Sequence, residues 1–136
     1  MKTTFRFIHA PSGGSNTRID KLVVSLGQAN DEVAVDGLSS TLSLSALGGD
    51  DTITIGQLYN APHTFHDQVE RTTDGYLSSA GTQSIIIYAG DGDDSVRILK
   101  NGGIVEANGD CGNDNVSQAD VFLFFVCLGF FSLDFF

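Results

Sequence analysis

The sequence predicts an all-β protein, a parallel β-solenoid (β-roll or β-helix) of four to five coils with two strands per coil. Three observations carry that expectation: a repeat close to twenty residues long, two alternating apolar segments within each repeat, and a glycine-aspartate turn between them. The repeat is read from Asp31, Asp51, Asp74, Asp94 and Asp114, whose spacings are 20, 23, 20 and 20 residues. Glycine is abundant, at 16 residues against 2 prolines, which suits a chain that turns often through backbone conformations only glycine reaches freely.

The strands follow from period-two alternation around each aspartate. Nine residues before it stand Leu22, Leu42, Phe65, Ile85 and Val105, and seven before it Val24, Leu44, Asp67, Ile87 and Ala107. This is the first strand of a coil. Two residues after the aspartate stand Val33, Ile53, Tyr76, Val96 and Val116, and four after it Val35, Ile55, Ser78, Ile98 and Gln118. These are the inward positions of the second strand. Each coil then lays its two strands on those of the coil before.

Residues 1–20 read as a lead-in or a truncated coil, and residues 21–118 as the repeats proper. Within them 56–82 is an irregular middle coil, since Thr72 replaces a glycine, Asp67 falls in an apolar column and three extra residues lie here. A loop bulging from a four-coil stack is the alternative. Residues 119–136 abandon both the period and the polar alternation, so this apolar tail is expected to lie outside the fold. Its Phe and Leu content is what thymine-rich DNA encodes, which suggests translated intron sequence, with a lipid or membrane anchor as the rival reading. The stretch is shorter than the roughly 20 residues that span a bilayer. Both ends of the array read as cut from a longer one, because terminal coils normally carry caps.

Charge narrows the partners. Seven basic against seventeen acidic residues give a net charge of -10, with no basic cluster, so nucleic acid and anionic membrane surfaces are disfavoured as partners, a membrane remaining only if the tail is a real anchor, and cations are favoured. The first ten residues hold no apolar run of the kind a secretory signal needs. Cys111 and Cys127 make neither a metal-ligand spacing nor a disulfide framework.

In a parallel stack, equivalent residues lie about 4.8 Å apart, so the aspartate column becomes a row of like charges. Each adjacent pair repels by roughly 1 to 3 kcal/mol at effective dielectrics between about 80 and 20. A hard divalent cation offsets that repulsion. The donors available at the turns are oxygens: Asp31, Asp51, Asp94 and Asp114, with Asn30, Asp50, Asp93 and Asn113 beside them and glycine backbones such as Gly92 and Gly112. Oxygen donors in a flexible loop suit calcium, and no set of thiol or imidazole ligands for zinc or copper occurs there, Cys111 standing alone.

The turns at 89–97, reading AGDGDDSVR, and at 109–116, reading GDCGNDNV, resemble haemolysin-type (repeats-in-toxin) calcium-binding repeats. Those at 26–33 and 46–53 resemble them less closely. The resemblance implies calcium ligation by Asp31, Asp51, Asp94 and Asp114 with their local glycine turns, and Asp74 joins only by register. This chain departs from the family in having one acidic turn per twenty residues instead of one per nine, so one edge alone is expected to bind. Ala29, Leu47 and Asp110 replace glycines of the motif.

The function expected is that of a calcium-binding structural module of a larger secreted or cell-surface protein, in adhesion or matrix, with extracellular polysaccharide or matrix as a further partner. No catalytic set is visible and the chain is read as no enzyme. The alternatives are a carbohydrate-active β-helix enzyme fragment and a metal-free structural solenoid whose Asp and Asn side chains bond their own turns. His63, His66, Asp67 and Glu70 can be drawn as a zinc site, but two histidines three apart in a polar stretch are ordinary exposed residues.

Overall fold

Short β-branched and leucine segments flank each glycine-aspartate turn, and in the computed structural model each becomes a strand. The structure describes residues 20–35, 40–59, 75–77, 83–118 and 131–135, the backbone alone for 57–59, 75–77 and 131–135. In chain order the strands are β1 (Lys21–Ser25), β2 (Glu32–Val35), β3 (Thr41–Ser45), β4 (Thr52–Ile55), β5 (Gln57–Tyr59), β6 (Gly75–Leu77), β7 (Ile85–Tyr88), β8 (Ser95–Ile98), β9 (Val105–Asn108), β10 (Asp114–Gln118) and β11 (Phe131–Phe135). The fold is all-β, and no helix occurs among the described residues.

Two parallel sheets hold most of these strands, in the orders β1-β3-β7-β9 and β11-β10-β8-β4-β2. Each unit gives one strand to each sheet. The register is constant, so that Leu22, Leu42, Ile85 and Val105 share one row and Val24, Leu44, Ile87 and Ala107 the next. In the other sheet Val33, Ile53, Val96 and Val116 align, as do Val35, Ile55, Ile98 and Gln118. These rows form a single core cluster in which Leu42, Leu44, Ile53, Ile55, Ile87 and Ile98 are fully buried. Burying each such side chain contributes roughly 1.5–3 kcal/mol, and a one-residue slip would turn the whole row outward.

The middle segment does not form a coil of the stack. β3 pairs directly with β7 and β4 with β8, so the second unit meets the third across a sequence step of 43 residues. β5 and β6 pair with each other instead, antiparallel, as a separate two-stranded ribbon. The reason is legible in the residues: an interposed strand would have set Asp67 between Leu44 and Ile87, a buried charge in an apolar row. Asp74, His63, His66 and Glu70 lie outside the described residues.

The tail also departs from expectation. Phe131–Phe135 pairs in parallel with β10, Asp114 against Phe131 and Val116 against Leu133, and so extends the five-stranded sheet. The edge of β10 carries backbone donors and acceptors that another strand satisfies, and Phe131, Leu133 and Phe135 alternate with Ser132 and Asp134 at the period a strand needs. No helix among the described residues is long and apolar enough to cross a membrane.

Candidate metal centre

The four glycine-aspartate turns stack on one edge of the two sheets. Their second position is left-handed wherever a positive φ occurs: Leu47 at 75°, Gly90 at 99° and Asp110 at 63°. Their fourth position is left-handed too, at Gly49 (105°), Gly92 (136°) and Gly112 (145°). Leu47 and Asp110 therefore adopt the backbone of the glycines they replace, at a cost of about 1–2 kcal/mol each. Ala29 does not, and the first turn departs from the other three at this position.

Glycine at the fourth position has a second cause. A Cβ on Gly92 would run into the Gly49 carbonyl, and one on Gly112 into the Gly92 carbonyl, because the chain of the preceding turn passes directly against the α-carbon. Parallel bridges Gly48 to Asp91 and Asp91 to Cys111 continue the sheet pairing through the turns. Gly49 and Gly92 carbonyls thus point along the stack, and they accept no backbone hydrogen bond among the described residues.

The aspartates Asp31, Asp51, Asp94 and Asp114 form an inner row, all buried, with Asp51 only 1% exposed and Asp94 2%. The backbone N–H of Asp31 donates to Asp51 Oδ1 at 2.7 Å, that of Asp51 to Asp94 Oδ1 at 2.7 Å, and that of Asp94 to Asp114 Oδ1 at 3.0 Å. Each carboxylate so ties its turn to the one before. The 43-residue step is bonded like the 20-residue steps, as the backbone confirms: Thr52 N to Asp31 O, Ser95 N to Asp51 O and Asn115 N to Asp94 O are all 2.8 Å. At the first turn the Gly27 N–H donates to Asp31 Oδ2 at 3.3 Å.

Asn30, Asp50, Asp93 and Asn113 form a second, outer row that is exposed throughout. Here the bonds run the opposite way along the stack. The N–H of Asp50 donates to Asn30 Oδ1 at 3.0 Å, that of Asp93 to Asp50 Oδ1 at 3.1 Å, and that of Asn113 to Asp93 Oδ1 at 3.0 Å. The eight side chains expected on this edge thus form two rows, one buried and one exposed. Sequence parity carried the signal, since each inner aspartate lies two residues before a buried apolar residue (Val33, Ile53, Val96 or Val116) and each outer residue lies three before it, on the opposite face.

The inner row is electrostatically incomplete. Asp51, Asp94 and Asp114 each leave Oδ2 buried with no hydrogen-bond partner. Burial pushes the Asp94 carboxyl up to about 6; the N–H of Asp51 pulls it down, while the neighbouring carboxylates of Asp51, Asp114 and Asp50 add to the rise. Asp51 and Asp114 are raised as well, first by burial and then by adjacent carboxylates. A buried anion with an unpaired oxygen calls for a proton or a cation.

Three carboxylate oxygens, Oδ2 of Asp51, Asp94 and Asp114, are buried without a partner, and oxygen is the donor a large hard cation takes. No group of three or more His, Cys, Asp or Glu side chains placed to hold a metal ion occurs among the described residues. Of the turn glycines the sequence points to Gly92 and Gly112 as ligands, and Gly49 and Gly90 share their positive φ and close stacking. Comparison with protein-family models, with curated proteins and with solved structures finds no match.

Proposed function

We propose that this chain is a parallel β-solenoid with a structural role, a module of an extracellular or cell-surface protein, and that calcium completes its buried aspartate row. The observation that supports the reading is the trio of buried, unpartnered Oδ2 atoms on Asp51, Asp94 and Asp114. Carboxylate oxygens suit a large, hard cation with a flexible shell. Millimolar calcium outside cells matches the weak sites such loops make. Calcium is then a folding ligand: at a hundredfold excess over Kd it adds about 2.7 kcal/mol to the folded state.

Thermal melting followed by circular dichroism, together with calorimetric titration, tests this. Calcium is expected to raise Tm by about 5–10 °C, with a binding heat that Asp94→Ala and Asp114→Ala remove. Identical melting curves with and without calcium would overturn the reading.

A metal-free solenoid is the second reading, favoured by the Oδ1 hydrogen bonds that already tie each inner aspartate to a neighbouring turn. Asp94→Asn separates the two. An amide oxygen keeps the bond from the Asp51 N–H and removes the charge, so the metal-free reading predicts a more stable protein under all conditions. The calcium reading predicts a gain without calcium and a loss of the calcium response.

A further inference from the structure

The chain carries two Asn-Gly dipeptides seven residues apart, and the fold treats them differently. Asn101-Gly102 lies in the loop between β8 and β9, where Asn101 is half-buried and Gly102 exposed. The Asn101 side-chain amide Nδ2 donates to the Gly103 carbonyl at 2.9 Å, so the carboxamide is folded over the backbone of the two residues that follow. Asn108-Gly109 sits at the end of β9, both residues buried, and the Asn108 carbonyl accepts the Ala89 N–H at 2.8 Å. Its backbone is locked in the sheet.

We propose that Asn101 is a site of spontaneous covalent modification, deamidating through a succinimide, and that Asn108 is protected by the sheet. The Gly102 backbone nitrogen gives up its proton to solvent base and bonds to Asn101 Cγ, while the bond from Cγ to Nδ2 breaks and ammonia leaves. Water then opens the five-membered ring at one carbonyl or the other, giving an aspartyl or an isoaspartyl residue. No oxidant or reductant takes part. Ring closure needs a backbone that can rotate and an attacking nitrogen free of steric cover. Glycine supplies both, having no Cβ, and loop position leaves the torsions unpinned by ladder bonds.

The product changes the molecule in two ways. One negative charge is added beside Lys100, and the isoaspartyl form inserts an extra backbone carbon into the short connection from β8 to β9. Both strands are core strands, so the change bears on the third and fourth units directly.

The experiment is peptide mapping by mass spectrometry of the full chain aged in mildly alkaline buffer, with isoaspartate measured in each peptide. Asn101 is expected to convert about tenfold or more faster than Asn108, a barrier difference of about 1.4 kcal/mol. Gly102 does not have a positive φ, so Gly102→Ala keeps the fold while crowding the attacking nitrogen. It is expected to slow conversion at Asn101 about tenfold with an unchanged circular dichroism spectrum. Equal rates at the two asparagines, or an unchanged rate in Gly102→Ala, would overturn the proposal. Neither outcome bears on calcium, which is measured separately.

Discussion

The two edges of the stack obey different rules. On the acidic edge the connections 26–31, 46–51 and 89–94 are each six residues long, and they superpose in register with inner and outer hydrogen-bond rows. On the opposite edge the connections run from 36–40 through 99–104 to 56–84, the last carrying the β5–β6 ribbon. The first edge is held turn to turn by carboxylate and amide oxygens, so a change in length would break bonds on both sides. At the second, no comparable row was found among the described residues, and an insertion there costs only loop entropy, which grows slowly with length. Constancy of length marks where the stack is bonded, and variation marks where it is not.

The largest expected effect is at Gly92. Gly92→Ala forces a Cβ into the Gly49 carbonyl at φ 136°, and should destabilise the protein by about 3 kcal/mol, read from chemical denaturation. If Gly92→Ala proved as mild as Gly102→Ala, the acidic edge would not be the rigid one.

Next comes pH. The Asp94 carboxyl rises from its ordinary 3.8 to about 6 on folding, so the folded chain holds that proton more tightly than the unfolded one. This contribution to stability is fully present below about 3.8 and is lost as pH climbs through about 6. Metal-free protein should therefore melt at a lower temperature at pH 7 than at pH 5, a loss that Asp94→Asn lessens. A Tm that rises from pH 5 to pH 7 without metal would contradict the buried, uncompensated row.

On the opposite edge, replacing residues 60–74 by a two-residue turn should change stability by less than about 1 kcal/mol and leave any calcium response intact. The comparison fails if that deletion unfolds the stack. A small effect of definite sign is expected at Leu47, held at φ 75° and 43% exposed. Leu47→Gly should stabilise by about 1 kcal/mol, visible as a small rise in Tm, because the strain of a left-handed leucine outweighs the chain entropy glycine adds.

Much of this was legible residue by residue. The columns Leu42–Ile85–Val105 and Ile53–Val96–Val116 are the observed sheet rows, and the aspartates the repeat singles out are the ones that tie the turns. The parity of Asp94, two residues from Val96 and four from Ile98, also carried its inward orientation. What the sequence left open or missed concerned partners: the middle segment, open between a distorted coil and a loop, and the tail, expected outside the fold. Both had lost the local pattern, Asp67 through its charge and 119–136 through its uniform apolarity, and a pattern that is absent says nothing about where a strand pairs.

The sequence by itself determined the period, the strand positions, the inward residues and the acidic turns, because each rests on contacts between near neighbours or on simple alternation. Only the tertiary structure decided that Asp51 stacks on Asp94 across 43 residues and that Phe131–Phe135 joins β10. Those outcomes depend on which distant edges satisfy one another's backbone groups and which charges can be buried together. That competition involves the whole molecule, and no short stretch of the chain records its result.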